Sequence, residues 1–230
     1  MKLAVMQPYF FPYLGYFQLI RSVDKFIFYD DVNFIKNGWI NRNQIVINNT
    51  KKYFTVQLKG ASPNKLINEI EFTDNRHKLK SSIQLAYKKA PFYNDVWPII
   101  EDCLMFKTEH IGILAIYSVK KVIEYLDIDI KLEISSENYS DTKGMDKAER
   151  LRAICKRNNA STYINPIGGQ ELYNKEDFKK EKIDLFFLNT KFTTYKQFNN
   201  EFISGLSILD IVMFNSKEDI YKMLDNYELI

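Results

Sequence analysis

The sequence predicts a mixed α/β fold with a mainly parallel sheet, an N-terminal βαβ unit and an additional helical portion. Three features near the amino end indicate this class. An almost fully apolar run at residues 3–6 is followed by a proline-rich turn, a stretch with helical spacing at 17–23, and a second apolar run at 25–29. Strand, turn, helix and strand in this order form a βαβ unit, whose crossover makes the two strands parallel.

Each of these elements has a local reason. A run without polar residues suits a central strand buried on both faces, and aromatic and branched residues favour the second strand. Pro8 and Pro12 bracket an irregular turn, because proline lacks a backbone donor and disfavours helix in the residue before it. Gly15 permits close approach of another segment or a ligand. Ligands of such sheets bind where the strands end, so polar residues there are candidate site residues.

The rest of the chain alternates between strand-like and helix-like segments. The predicted strands are a hairpin at 44–48 and 52–58, an alternating run at 67–72, and runs at 131–134, 161–164 and 184–188. The predicted helices are 75–90, 95–106, 110–125, 145–157 and 206–214, with loops at 135–143 and 165–170. No repeat or flexible linker divides the chain, so we expect one domain over residues 1–230 with its helical portion at 75–126.

The amino-acid composition limits which kinds of molecule the protein is expected to bind. With 46% hydrophobic residues, the 230-residue chain can bury a sizeable core. Its net charge of +3 is too small to indicate nucleic acid. No apolar run approaches the roughly 20 residues that span a bilayer, and no signal-peptide core follows Lys2. We therefore expect a cytoplasmic protein without membrane insertion that acts on a small molecule, and a homo-oligomer is left open.

Cysteine and histidine usage indicates no metal site. Cys103 and Cys155 lack metal-ligand spacing and are expected to be buried, reduced thiols. His77 and His110 are isolated, which argues against zinc. A covalent acyl-enzyme is not indicated, because the chain has no Gly-x-Ser-x-Gly elbow or Cys–His pair. The pattern points to no particular cofactor.

The aromatic turn supplies the first candidate substrate-binding residues. Tyr9, Tyr13 and Tyr16 carry hydroxyls that need partners if buried. Together with Gln7 they could form a stacking and hydrogen-bonding wall for a base or a sugar. The alternative is that these rings only cap the sheet.

The acidic pair Asp30 and Asp31 directly follows the second predicted strand. Strand alternation would send the two carboxylates to different sides, so that one faces a cleft as a general base. The alternative is a structural cap or a salt bridge to Lys36 or Arg42.

A polar cluster and one histidine complete the candidate site. Arg42 and Lys36 suit a phosphate or carboxylate, Trp39 could stack on a ring, and Asn41 lies between them. His77 is the best single candidate for acid–base work. His110 is more consistent with a structural role. The loop Asn165 to Gln170 could surround an anion or form an ordinary turn, and Asp210 would cap or orient another group.

Several of these blocks resemble the WbqC-like family, in order along nearly the whole chain. The blocks are Gln7-Pro8-Tyr9 with Pro12 to Tyr16; Asp30 to Phe34; Trp39 to Asn43; His77 with Tyr87 and Ala90-Pro91; Tyr163, Gly168 and Tyr173 with Phe178; and Tyr195 with Gln197, Phe202 and Leu206 to Asp210. Members are typically encoded among genes for bacterial surface-polysaccharide and unusual-sugar biosynthesis, and their reaction is poorly defined.

A second likeness concerns the fold. The order strand, turn, helix and strand is similar to nucleotidylyltransferases and pantothenate synthetases, which carry a His-x-Gly-His motif in that turn. Tyr13 and Tyr16 stand at the positions of the two histidines. This resemblance implies a shared Rossmann-like fold from which the phosphate chemistry of those histidines has been lost.

Together, the residues and the resemblance lead to a functional expectation with two alternatives. We expect a transferase of the surface-sugar pathway that moves an acyl or aminoacyl group to the amine of a nucleotide-linked amino sugar, with positioning and one base as its means. The alternatives are an ATP-dependent ligase or nucleotidyltransferase-like enzyme, and a non-catalytic binding protein of the same pathway.

Overall fold

The computed structural model describes residues 1–198 and 201–230. Its strands are β1 (Lys2–Met6), β2 (Lys25–Phe28), β3 (Arg42–Ile47), β4 (Thr50–Thr55), β5 (Leu58–Lys59), β6 (Glu71–Phe72), β7 (Lys131–Ile134), β8 (Thr162–Pro166), β9 (Asp184–Thr190) and β10 (Tyr227–Leu229). Its α-helices are α1 (Leu14–Arg21), α2 (Arg76–Tyr87), α3 (Tyr93–Met105), α4 (Ile111–Tyr125), α5 (Ser135–Asn138), α6 (Lys147–Arg157), α7 (Lys175–Lys180), α8 (Ile208–Phe214) and α9 (Lys217–Leu224). Short 3₁₀ turns occur at Ile67–Glu69, Ser140–Thr142 and Ile167–Gly169.

A six-stranded sheet organises the fold, in the order β10-β9-β8-β1-β2-β7. All neighbours are parallel except β10, which pairs antiparallel with β9. Counted along the chain, the five parallel strands take the order 3-2-1-4-5 of a doubly wound sheet, which reverses direction between β1 and β8. The predicted class and its N-terminal βαβ unit are confirmed, and the order is compatible with the Rossmann-like relationship.

The two faces of the sheet bury separate apolar clusters, because successive residues of a strand point to opposite sides. Leu3 and Val5 of β1 pack in a cluster with Ile154 of α6 and Phe178 of α7. Ala4 belongs to the larger cluster on the other face, with residues of α1, α8 and α9. The sheet therefore lies between two helical layers.

The first helix begins at Leu14, earlier than the predicted residue 17. Tyr13 before it is extended, and the Tyr16 amide bonds back to the Tyr13 carbonyl at 3.1 Å. The helix ends at Arg21, where the Ser22 hydroxyl bonds the Leu19 carbonyl at 2.8 Å. The start was predicted too late because the spacing of apolar residues alone does not mark a cap.

The insertion between β2 and β7 holds the predicted hairpin and helical portion. Strands β3 and β4 meet at a two-residue turn, Asn48-Asn49, with φ of 52° and 62°, as a type I′ turn requires. The hairpin thus turns one residue earlier than predicted. Helix α3 packs against both α2 and α4, and Ile83, Ile100 and Leu114 of these helices belong to one buried cluster.

Some local predictions were wrong. Residues 67–72 form a 3₁₀ turn followed by the short strand β6, because the Glu69 carboxylate accepts from the Leu66 amide at 2.9 Å and closes the turn. The predicted loop 135–143 contains α5 and a 3₁₀ turn. Helices α7 and α9 and strand β10 were not predicted.

Both cysteines are free and buried, as expected, and burial raises the pKa of the Cys155 thiol to about 12. Among the residues described, no group of three or more His, Cys, Asp or Glu side chains could hold a metal ion. In the same part of the chain, no helix is both long and apolar enough to cross a bilayer.

Candidate functional site

The carboxyl ends of the parallel strands define the candidate site. Gln7 follows β1, Asp30 and Asp31 follow β2, and Ile167–Gly169 follow β8. The segment after β9 starts at Lys191. Because the strands are parallel, these segments share one edge, and the strand order reverses there between β1 and β8, which is where open α/β sheets commonly bind ligands.

Tyr16 is part of the support of this edge. Its hydroxyl donates to the Gln7 carbonyl at 2.9 Å, and its ring is fully buried beside that of Tyr9, with centroids 5.6 Å apart. Burial raises the pKa of Tyr9 to about 12 and that of Tyr16 well above its ordinary value. Both hydroxyls therefore stay protonated at neutral pH. In the part of the chain that the structure describes, the Gln7 side chain makes no hydrogen bond.

Tyr13 lies where β9 ends. A Cβ on Gly15 would be 2.5 Å from the Tyr13 ring and 2.2 Å from the Thr190 hydroxyl oxygen, so glycine is needed for this close approach. Tyr13 is half-buried and forms an isolated antiparallel bridge with Ser207. This turn therefore connects α1, β9 and the segment before α8.

Asp30 and Asp31 converge on one hydroxyl. The Ser135 Oγ lies 3.0 Å from Asp30 Oδ1 and is also hydrogen-bonded to Asp31 Oδ1. Asp30 further accepts from the Ser136 amide at 3.0 Å and its hydroxyl at 2.7 Å, at the start of α5. The expectation that the two carboxylates face different sides is wrong, because β2 ends at Phe28 and its alternation does not extend to them.

Asp31 has a buried cationic partner. Arg150 Nη2 lies 2.6 Å from Asp31 Oδ2, with the side chains 4% and 3% exposed. The Thr142 hydroxyl accepts from Arg150 Nε at 2.9 Å, and the guanidinium lies over the Tyr29 ring. The salt bridge of this acidic pair is thus made with Arg150 and not with Lys36 or Arg42. A catalytic role for either aspartate stays a prediction.

Arg42 stabilises the loop that carries Trp39. Its Nε donates to the Gly38 carbonyl at 3.1 Å and its Nη2 to the Asn37 carbonyl. The guanidinium carbon lies 4.7 Å from the centroid of the Tyr53 ring. The centroid of the Trp39 ring lies 6.1 Å from that of the same tyrosine.

The other two members of the cluster differ in burial. Asn41 is buried and donates to the Val56 carbonyl at 2.8 Å, whereas Lys36 is exposed. The loop and the aromatic turn meet through the Phe10 amide, which donates to the Ile40 carbonyl at 3.1 Å. Among the described contacts, none joins Tyr13 to Arg42.

Among the described contacts, no hydrogen bond or ion pair joins the His77 or His110 side chain to the residues at the carboxyl edge of the sheet. His77 is exposed in the first turn of α2, and its ring has no described hydrogen bond. His110 precedes α4, and its buried Nδ1 lacks a partner among the described residues. His77 remains a candidate acid–base group only by residue type and exposure.

Three hydrogen-bond donors surround the Asp210 carboxylate, at a place where the sequence did not predict a site. This aspartate is 1% exposed and accepts from Tyr87 Oη at 2.9 Å, Tyr195 Oη at 2.6 Å and Gln197 Nε2 at 2.7 Å. No cation pairs with it in the described part of the chain. Burial raises its pKa, against the lowering effect of the three hydrogen bonds. All four residues belong to the blocks that carried the family resemblance, and that was the available sequence signal.

Tyr195 also lines a cavity of about 570 Å³ next to the segment that leaves β9. Its lining residues are Thr193, Thr194, Tyr195, Asn215, Asp219, Lys222, Met223, Asp225 and Asn226. A smaller apolar recess next to it shares Thr193, Tyr195 and Met223 and reaches Leu14 at the start of α1. The volume lies within the roughly 300–1,000 Å³ of small-molecule sites.

The fold and this edge define a doubly wound α/β protein with a candidate small-molecule site at its carboxyl edge. The model of the WbqC-like protein family matches residues 7–222, and the chain belongs to this family. It is similar to "Uncharacterized protein Rv1507c" of Mycobacterium tuberculosis (strain ATCC 25618 / H37Rv), with 28% identity over 220 residues that cover 93% of each chain. No solved structure gives a significant match.

Proposed function

We propose that this protein is a transferase of bacterial surface-polysaccharide or unusual-sugar biosynthesis. It moves an acyl or aminoacyl group to the amine of a nucleotide-linked amino sugar. Family membership suggests the pathway. The observation that carries the proposal of a small-molecule site is the strand order, because open α/β sheets bind ligands where that order reverses, which here is between β1 and β8 next to Gln7.

The aromatic turn and the Trp39 loop are the proposed binding elements for this substrate. Gln7, Tyr9 and Tyr13 offer amide and neutral hydroxyl groups, and Tyr16 holds the turn through the Gln7 carbonyl. The half-exposed Trp39 ring can stack on a base. Lys36 would contact a phosphate, while Arg42 and Asn41 hold the loop that carries Lys36 and Trp39.

The proposed reaction needs one base. The amine nitrogen attacks the carbonyl carbon of an activated donor, a C–N bond forms, and the bond to the donor's leaving group breaks. The base takes the proton that the nitrogen loses, and the leaving group departs with the electron pair of its bond. His77, Asp31 and Asp30 are the proposed candidates, and His77 is the exposed one.

An ATP-dependent ligase or nucleotidyltransferase is the second candidate, favoured by the strand order. Against it, Tyr16 stands at a histidine position and its hydroxyl already bonds the Gln7 carbonyl at 2.9 Å. A non-catalytic binding protein of the same pathway is the third.

Thermal unfolding of the full chain with three ligand types separates these candidates. A ligand at 100 times its Kd stabilises the folded state by about 2.7 kcal/mol. We expect stabilisation by nucleotide-linked amino sugars. Stabilisation by ATP without any response to sugars would favour the ligase, and no response to nucleotide sugars, ATP or acyl-CoA would favour the non-catalytic protein.

Substitution tests the base once turnover is measured. His77→Gln should abolish transfer while leaving sugar binding intact, and Lys78→Gln on the same exposed turn of α2 should not. A full rate in His77→Gln would assign the base to another residue.

A further inference from the structure

The cavity that Tyr195 lines has two walls. One wall is the segment that follows β9, with Thr193, Thr194 and Tyr195. The other is α9 with the residues after it, among them Met223 and Asn226. Asn226 Nδ2 donates to the Thr193 hydroxyl at 3.1 Å and so connects the walls.

Fully buried polar side chains support both walls. Asp210 accepts from the Tyr195 hydroxyl on one side. On the other side, Gln18 is 0% exposed, and its Nε2 donates to the carbonyls of Met223 at 2.8 Å and Asn226 at 2.9 Å. Burying an amide and a carboxylate that has no cationic partner costs free energy that an apolar core would not, even though hydrogen bonds offset part of the cost. Such support is expected where a wall must be held in position for a ligand.

The charges of the lining disfavour an anion. The cation of the lining, Lys222, is paired with Glu218 at 2.9 Å and Asp219 at 3.3 Å. Asp225 is paired with Arg21 at 2.7 Å. Counted together with these partners, the lining has three carboxylates against two cations, and this net negative charge opposes the binding of an anion.

The remaining lining groups suit hydroxyl-rich ligands. Asn215 and Asn226 present amides, which can both donate and accept hydrogen bonds, and Thr193 and Thr194 present hydroxyls. The Tyr195 ring adds an apolar surface. Carboxylates accept from hydroxyls and from an ammonium group.

We propose that this cavity binds a neutral or amine-bearing sugar against the Tyr195 ring, whose hydroxyl is hydrogen-bonded to Asp210. Under the proposed function the cavity takes the sugar end of the substrate, and in that respect the inference rests on the proposed function. The nucleotide end would remain at the carboxyl edge of the sheet between β1 and β8.

Saturation-transfer NMR with the full chain tests the site without any nucleotide. The probes are methyl glycosides of glucose, galactose and mannose, their 2-amino-2-deoxy forms, and methyl glucuronoside. We expect saturation transfer from the protein to the neutral and amine-bearing glycosides, and less saturation transfer to the uronate. Thr194→Trp, which fills the cavity from an exposed position, should weaken binding by about tenfold or more.

Lys196→Trp is the matched control, because it adds the same ring on the same segment at an exposed residue outside the lining. It should leave binding unchanged. Absence of transfer to every glycoside, preference for the uronate, or equal binding in Thr194→Trp and the unchanged protein would overturn the inference.

Comparison with the nucleotide-sugar measurement separates the two proposals. If free glycosides bind but nucleotide sugars do not stabilise the protein, the proposed function is wrong and the cavity is still a sugar-binding site. If nucleotide sugars stabilise the unchanged protein and the Thr194→Trp variant equally, the proposed function is retained and the cavity is not the sugar site.

Discussion

Tyr195 donates a 2.6 Å hydrogen bond to Asp210, and this bond links the segment after β9 to the first turn of α8. Tyr87 from α2 donates to the same carboxylate at 2.9 Å. Gln197 completes the cluster and also bonds Ile203 through both its amide nitrogen and oxygen. One buried carboxylate thus joins three parts of the chain around the cavity wall.

Asp210→Asn should remove a pH-dependent component of stability. Burial raises the pKa of Asp210 above its ordinary value of 3.8, so the folded chain holds the proton more tightly than the unfolded chain. The stabilisation is complete below that ordinary value and is lost as pH rises through the folded pKa. In urea unfolding from about pH 4 to about pH 8, the free energy of unfolding of Asp210→Asn minus that of the unchanged protein should therefore increase.

Asp219→Asn is a control of opposite sign. Hydrogen bonds from Ser216 and Lys222 lower the pKa of Asp219, so the same difference should decrease as pH rises towards the ordinary value of 3.8 and stay nearly constant above it. Parallel pH profiles for Asp210→Asn and the unchanged protein would contradict the first prediction.

Arg150→Met should destabilise the fold by about 3–5 kcal/mol, because it leaves the Asp31 carboxylate buried without its partner. Adding Asp31→Asn should recover part of that loss. Lys179→Met, which breaks an exposed pair with Asp184, should change stability little. Urea unfolding of the single and double variants gives the coupling, and strictly additive losses would mean that the pair is not coupled.

Gly169→Ala should disturb the edge after β8, whereas Gly168→Ala should not. A Cβ on Gly169 would lie 1.8 Å from Asn165 Nδ2, and one on Gly168 meets nothing within 4 Å. Displacing the buried Asn165 should cost about 1–3 kcal/mol, and the neighbouring substitution should stay within about 0.5 kcal/mol. Thermal unfolding compares them, and equal stabilities would show that Asn165 moves without cost.

Arg42→Ala should free the loop that carries Trp39. It removes the bonds to the Asn37 and Gly38 carbonyls and the contact with the Tyr53 ring. In a Trp97→Phe background, where Trp39 is the remaining tryptophan, iodide quenching of the tryptophan fluorescence should increase. The exposed Lys52→Ala on the same hairpin is the control. Equal quenching in both variants would mean that other contacts hold the loop.

The local sequence pattern was sufficient to predict a secondary-structure element where a single segment contains the whole pattern. The apolar run of β1, the helical spacing of α4 and the branched residues of β2 each predict an element, since burial of a face imposes its period on the sequence. Gly15 was also readable as a point of close approach. The turn Asn48-Asn49 was placed one residue late, because strand propensity extends past the point where the chain reverses.

The sequence by itself determined the α/β class, the parallel βαβ start and the family, because all three depend on residues that lie in order along the chain. Tertiary structure alone decided that Asp30 and Asp31 share the Ser135 hydroxyl, that Arg150 neutralises Asp31, and that Asp210 collects Tyr87, Tyr195 and Gln197. Such partners come from segments brought together by sheet order and helix packing, and the free energy of burying a charge depends on which groups meet it there.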